Sequence, residues 1–395
     1  MKFALFSEYL PPSPTWSGQA AIIHRLLSPL DPRCYCLLSR AKVNETAGGM
    51  PPLPGRYYHL GGASGPSPEH TNGLERWVIR MRRAGSALRV LVQAALVARR
   101  ERCAALVATP DRVEDLPLAF AASRLLRIGF YPYLFDDYAN KWTGARERRF
   151  AHVVEPFLLR RSAGIVVPNE LHQEELRRRY GVDSTIVRNV CDPSLYDADA
   201  AEPDYGAEAA IVFTGAVYHA HYGAFRTLVA GIRLLEGRRA RLHLYTASDE
   251  ARLEREGICG PVVFHAHVPS SAVPPIQQEA HILFLPLALD SPNPEVVRTS
   301  APAKMAEYLA AGRPILVHAP PDAFISTYFR HHRCGVVVDE SDPRLLAEAI
   351  ERLLGDAGLR ERLSAAARER AAADFHPARA RAAFAQLLGV PVGDS

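Results

Sequence analysis

Two series of short apolar runs, each alternating with longer helix-like segments, predict an α/β protein with two doubly wound parallel sheets. Two further observations agree. The length of 395 residues suits two domains, and an acidic, proline-containing stretch without periodicity separates the two series. Apolar types at 48% and charged types at 23% fit a soluble globular chain and exclude a disordered or fibrous one. A formal charge of +4 is too slight to mark a nucleic-acid-binding protein, so any anion site must be local.

In the first half the expected strands are Phe3 to Ser7, Cys36 to Ser39, Tyr57 to Leu60, Ala105 to Thr109, Phe130 to Phe135, Gly164 to Val167 and Thr185 to Val187. Glu45 to Asn72, dense in Gly and Pro, reads as a long loop around one of them. The second series runs through Ala210 to Thr214, Leu242 to Tyr245, Val262 to His265, Ile282 to Pro286, Ile315 to His318 and Val336 to Val338. Asp342 and Pro343 then open a helix that Gly355 stops, and two Ala/Arg-rich helices follow, at about 359–373 and 377–388. The expected division is a domain at 1–190, a linker at 191–207, a second domain at 208–375 and a terminal helix in 376–395.

The six cysteines are scattered, and Cys34 and Cys36 lack zinc-knuckle spacing. Buried reduced thiols and no metal are expected. The amino terminus has too short an apolar run for a signal peptide, and no stretch is long enough to span a bilayer. The expected location is cytoplasmic, with room for peripheral attachment to a membrane face.

Ligands of open α/β sheets collect beyond the carboxyl ends of the strands. After the first strand Gly18 opens an apolar helix, either as an ordinary turn glycine or as a close backbone approach to a phosphate. The glycines at 61, 62 and 65 are a poor phosphate loop because Pro66 and Pro68 follow. Asn293 to Pro314 is more informative. A short helix is expected from about Pro302 to Ala310, capped by Thr299 or Ser300 and stopped by Gly312. Its free N–H groups near Ala303, beside Arg298 and Lys304, suit a diphosphate. Glu307, one turn on, can accept two hydrogen bonds from the vicinal hydroxyls of a ribose, although a Lys and a Glu at this spacing also make an ordinary surface ion pair.

The run from Pro302 to Pro314 (PAKMAEYLAAGRP) resembles the donor-binding segment of GT-B glycosyltransferases, particularly the large retaining family-4 type. Ser17-Gly18-Gln19 is similar to that family's amino-terminal glycine loop, Ile211 to Gly215 to the strand and glycine opening its second domain, and Phe264 to Pro269 to its base-contacting turn. The resemblance covers nearly the whole chain in order. It implies two facing Rossmann-like domains, an acceptor domain followed by a nucleotide-sugar domain, with the last helix returning to the first. It also implies a UDP- or GDP-sugar as co-substrate, no permanently bound cofactor and no metal. Carried over, Glu307 binds the ribose, Ala303 and Lys304 the diphosphate through backbone N–H groups, His267 and Val268 lie beside the base, and Gly18 and Gly215 line the phosphate site. The expected reaction is sugar transfer to a hydroxyl of a polysaccharide, glycolipid or small molecule, in bacterial polysaccharide or envelope assembly.

Two positions depart from the family pattern. Thr299 stands where a glutamate is common, and Ala216 to Tyr222 lacks an Arg/Lys pair, whose charge Arg298, Lys304, Arg226, His219 or His221 would replace. A catalytically idle nucleotide- or glycan-binding relative is the alternative these departures support. On the acceptor side Asp136 and Asp137 are adjacent, so at most one faces a site, where it could orient or deprotonate a hydroxyl. Capping of the following helix is the other role open to them. Arginines from Arg76 to Arg102 interleave with apolar residues, which suits either a solvated helix face or peripheral contact with anionic lipid.

Overall fold

The computed structural model describes residues 1–11, 18–41, 51–61, 73–198, 200–206, 208–236 and 239–391, and leaves out the side chains of 73–83, 219 and 220. The turn at 12–17, the glycines at 62 and 65, most of the irregular region around its strand and the side chains of Arg76 to Arg83 therefore lie outside the described residues. The chain divides into two compact units, Met1–Val187 with Arg381–Ser395, and Arg188–Ala380.

The first unit runs β1 (Phe3–Phe6), α1 (Gly18–Leu27), β2 (Tyr35–Ser39), β3 (Arg56–His59), α2 (Gly73–Arg100), β4 (Ala105–Ala108), α3 (Asp115–Leu126), β5 (Gly129–Pro132), α4 (Ala145–Leu159), β6 (Val166–Val167), α5 (Glu170–Tyr180) and β7 (Thr185–Ile186). Its parallel sheet has the order β3-β2-β1-β4-β5. Every residue of β1, β2 and β4 is buried, which is why these strands read as unbroken apolar runs. Alternation along β1 separates two packing faces. Ala4 and Phe6 join a core with Val90, Ala94 and Ala98 of α2 and with residues of α3 and α4. Phe3 turns the other way, onto Phe384 at 5.7 Å between ring centroids. The expected strand at Phe130 to Phe135 stops early because Tyr133 bridges Val166, and Leu134 N–H donates to the Val166 carbonyl. The chain there passes from pairing with β4 to pairing with β6.

The second unit runs β8 (Ala209–Thr214), α6 (His219–Ile232), β9 (Ala240–Tyr245), α7 (Glu250–Arg255), β10 (Val262–His265), α8 (Val273–Gln278), β11 (Ile282–Pro286), α9 (Pro294–Thr299), α10 (Ala303–Ala311), β12 (Ile315–His318), α11 (Phe324–His332), β13 (Val336–Val338), α12 (Pro343–Gly355) and α13 (Ala357–Asp374). Its parallel sheet has the order β10-β9-β8-β11-β12-β13. The final helix, α14 (Pro377–Leu388), carries Phe384 into the first unit's core. Asp342 caps α12 by accepting from the Arg344 N–H.

The stretch at 196–205 is fastened to the second unit by arginines. Arg313 donates to the carbonyls of Ala200, Ala201 and Gln278, and the Arg360 guanidinium lies 3.6 Å from the centroid of the Tyr205 ring. Arg360 also donates to the Leu353 and Leu354 carbonyls near the end of α12. All six cysteines are free thiols, four of them buried and Cys34 and Cys259 half-buried. Among the described residues no helix is long and apolar enough to cross a membrane.

Helix α6 meets α12 at Gly231, where an added Cβ would lie 2.8 Å from the Pro343 carbonyl oxygen and 3.1 Å from the Leu346 side chain. Backbone cannot yield as a flexible side chain can. Gly231→Ala should therefore destabilise the second unit by about 1–3 kcal/mol, read as an earlier calorimetric transition.

Candidate functional site

The second sheet changes direction between β8 and β11, since the connections from β8 and β11 lead to neighbours on opposite sides. A crevice forms at such a point, and here α6 and α10 begin beside it. Gly215 leaves β8 with φ +119°, in the region that favours glycine. A Cβ at Gly215 would meet the Lys304 Cε and Nζ at 3.4 Å, so the lysine of α10 reaches the turn after β8. Its Nζ also lies 4.6 Å from the centroid of the Phe213 ring. Desolvation pushes the Lys304 ammonium down to about 8, with Glu307 pulling it the other way. Among the described residues no carboxylate forms an ion pair with it. An anion entering here would gain a cation already stripped of much of its water.

A chain of hydrogen bonds fixes this corner. The Tyr308 hydroxyl, fully buried on α10, accepts from the Thr214 N–H at 3.2 Å. Gln277 of α8 donates to the Thr214 hydroxyl at 2.9 Å and accepts from the Tyr196 hydroxyl at 2.7 Å. Strand end, two helices and the chain entering the unit thus hold one another in register. Burial pushes the Tyr308 phenol well above its ordinary range, so it stays protonated.

Gly215, Lys304, Ala303 and Glu307 come together here, the last three on α10 itself. Gly312 ends α10 with φ +63°. Thr299 and Ser300 do not cap α10, contrary to expectation: they close a separate preceding helix, α9, and Pro302 occupies the N-cap position. The Thr299 hydroxyl, buried, donates instead to the Glu295 carbonyl. Arg298 is partly exposed, 3.7 Å from Asp322, rather than against Lys304. His219 opens α6, but its side chain lies outside the described residues. His221 is buried, edge-on to Phe213 and Phe225, and Arg226 faces Asp290 at 3.4 Å. His267 is exposed and Val268 half-buried just beyond β10.

The sequence did not single out the neighbouring aromatic stack. Tyr245 and His265, paired in register at the ends of β9 and β10, stack at 4.1 Å with an angle of 4°, and His243 Nδ1 lies 3.0 Å from His265 Nε2. Desolvation lowers both histidines, which leaves the rings neutral near pH 7. Residues two apart on one strand share a face, and that was the available signal.

In the first unit Gly18 begins α1, exposed, at the carboxyl ends of β1 and β4. Gln19 beside it donates to the Ser7 and Thr109 hydroxyls and to Asp111 at 2.8 Å. Asp111 also accepts from the Ser7 and Thr109 hydroxyls and the Glu8 N–H, a polar knot the sequence did not announce. The adjacent aspartates, which lie in the bend beyond β5 rather than on the strand, separate into different surroundings. Asp137 is buried and accepts from Arg179, whereas Asp136 is 41% exposed and 3.6 Å from Lys141. Neither caps α4, whose N-cap is Gly144; the Asp137 carboxylate accepts instead from the Asn140 N–H in the turn that follows. Arg179 also faces Glu155 and Glu175. Burial pushes the Glu155 carboxyl up to about 7, Asp137 adding to the rise.

Tyr308→Phe should leave the buried Thr214 N–H without its acceptor and cost about 1–3 kcal/mol in the second unit, read by denaturant unfolding.

Residues 208–356 match the family described as Glycosyl transferases group 1. No curated protein sequence matches the chain. Among solved structures, sucrose-phosphate synthase from Thermosynechococcus elongatus is similar with a TM-score of 0.70 at 15% identity, covering 98% of each chain. The Anabaena protein HepE in complex with UDP gives 0.68 at 12% identity, covering 98% of this chain and all (100%) of that one. WaaG, a glycosyltransferase involved in lipopolysaccharide biosynthesis, gives 0.64 at 16%, covering 96% and 98%. The chain thus has the GT-B fold of these glycosyltransferases, and its second unit carries the match to glycosyl transferases group 1.

Proposed function

We propose that the protein transfers a sugar from a nucleotide-diphosphate sugar to a hydroxyl acceptor, with retention at the anomeric carbon and without a metal ion. Lys304 supports this most directly: a desolvated ammonium without a carboxylate in ion-pair contact, beside a glycine turn at the switch point of the sheet. A diphosphate supplies the missing charge, and the N–H groups opening α10 at Ala303 and α6 at His219 add partial positive charge. Glu307 takes the ribose hydroxyls, and His267 and Val268 take the base.

In the reaction the bond from the anomeric carbon to the diphosphate oxygen breaks, and the acceptor oxygen bonds to that carbon. Lys304, with Arg298 once it releases Asp322, stabilises the negative charge that grows on the leaving diphosphate. The acceptor proton passes to that diphosphate. Of the two aspartates proposed to bind the acceptor, Asp136 is the more open, and Asp137, held by Arg179, positions the turn around it. UDP is the favoured nucleotide because the similar HepE structures hold UDP and UDP-glucose. The acceptor class is a polysaccharide, glycolipid or small molecule. One observation favours a second reading, a nucleotide-binding relative that does not transfer: Thr299 replaces a donor-side glutamate, and its hydroxyl is turned onto its own helix.

UDP should raise the melting temperature, and Glu307→Ala should remove the shift; an unchanged shift would take the ribose away from Glu307. Transfer or hydrolysis of UDP-sugars across an acceptor panel separates the two readings. Proton linkage gives a sharper test of Lys304. Its cation form binds the diphosphate, and the bound anion raises its pKa above the free value of about 8. Affinity for UDP should hold up to about pH 8 and fall as pH rises above it, with proton uptake in calorimetry. Lys304→Met should bind at least about tenfold more weakly near pH 7.5 and lose that dependence.

A further inference from the structure

The first unit carries a surface that nucleotide-sugar chemistry does not use. From β3 through β4, β5 and β6 the chain moves across the sheet in one direction, so right-handed crossovers put α2, α3 and α4 on one face. Phe120 of α3 packs edge-on against Phe157 of α4, at 5.6 Å, within that layer. Its outer side is apolar in stripes. Leu88, Val92 and Leu96 follow one another by a helical turn along α2, at 60%, 45% and 61% exposure, and Phe150, Val153 and Phe157 do so along α4, at 42%, 69% and 48%.

Arginines continue both stripes at the same spacing. Arg100 lies one turn beyond Leu96, Arg146 one turn before Phe150, and Arg161 one turn beyond Phe157 with its guanidinium 4.1 Å from that ring's centroid. On α2 from residue 84, on α3 and on α4, with the two residues that follow each, ten arginines are exposed against a single exposed acid, Glu147. Large aliphatic and aromatic side chains fully in water are costly, and contiguous ones mark an interaction surface. Its charge decides which. Two copies meeting face to face would set arginine against arginine, whereas a surface of anionic headgroups over hydrocarbon satisfies guanidinium and apolar stripe together.

We infer that the outer face of α2, α3 and α4 docks on an anionic lipid bilayer, with the apolar stripes entering the headgroup boundary and the arginines at their ends holding lipid phosphates. The first unit then carries the membrane contact whichever sugar the second unit handles. The inference stands apart from the donor reading.

The full chain should co-sediment with vesicles of phosphatidylcholine containing about one-third phosphatidylglycerol, not with phosphatidylcholine alone, and less at about 0.5 M than at about 0.05 M salt. Arg99→Glu with Arg100→Glu and Arg149→Glu, and separately Leu88→Ser with Leu96→Ser and Val153→Ser, should each lower the partition coefficient at least about tenfold. All six positions are exposed, so the melting temperature and the response to UDP should match the parent's, which separates loss of docking from loss of fold or donor binding. No sedimentation with anionic vesicles, or either triple variant binding as the parent does, overturns the inference. So does a dimer in light scattering that the serine variant dissolves, which would give the face to a second copy.

Discussion

The proposed donor site depends on one lysine ammonium, half-buried and partly desolvated where two strands of the second sheet diverge. Lys304 reaches that position because α10 starts one short turn after α9 and because Gly215 leaves room for its chain. Removing a cation from water is costly unless another charge or a π face compensates, and Phe213 with Glu307 nearby does so only in part. In the proposed reading the remainder is met by the diphosphate of the donor. Tyr308, Thr214, Gln277 and Tyr196 keep the cost from being relieved by movement, since two bonds tie α10 and α8 to the same strand end and a third ties the entering chain to α8.

The first unit solves a related problem differently. Asp137, Glu155 and Glu175 surround Arg179 in its interior, with more carboxylates than cations, and Glu155 answers by holding its proton up to about pH 7. That cluster anchors the turn after β5 and leaves Asp136 nearer solvent. Gln19 and Asp111 tie the start of α1 to the ends of β1 and β4 in the same manner. Both units therefore spend buried polar groups at the carboxyl edges of their sheets, where ligands of this architecture collect.

Most of the strands were legible because the central strands are covered on both faces, so that Ile282 to Pro286 and, but for His318, Ile315 to His318 are apolar runs that coincide with β11 and β12, and the half-buried edge strand Val336 to Val338 is apolar as β13. The strand expected at Phe130 to Phe135 was overlong for a reason outside its own residues: Tyr133 pairs with Val166, distant in sequence. Helix α9 was missed because Pro294 and Pro302 both look like starts, and local preference does not say that two helices share the segment. Of the residues proposed for the donor site, Gly215, Ala303, Lys304 and Glu307 gather because they sit on β8's exit and a single helix. Arg298, His221 and Arg226 turn to partners elsewhere in the unit, choices that depend on Asp322, Phe213 and Asp290 coming near.

The sequence by itself determined the alternation of buried strands and helices, the glycine stops and proline starts, and the segment from Pro302 to Pro314 on which a diphosphate site could be built. These are local properties, set by periodicity and by what one residue permits its own backbone to do. Which carboxylate of Asp136 and Asp137 stays near water, that Lys304 is half-buried beside Phe213, that Tyr245 and His265 stack, and that the exposed residues of α2 and α4 lie on one layer were decided only by the tertiary structure. Each depends on groups far apart in the chain, and burial, pairing and exposure are properties of that assembly rather than of any residue alone.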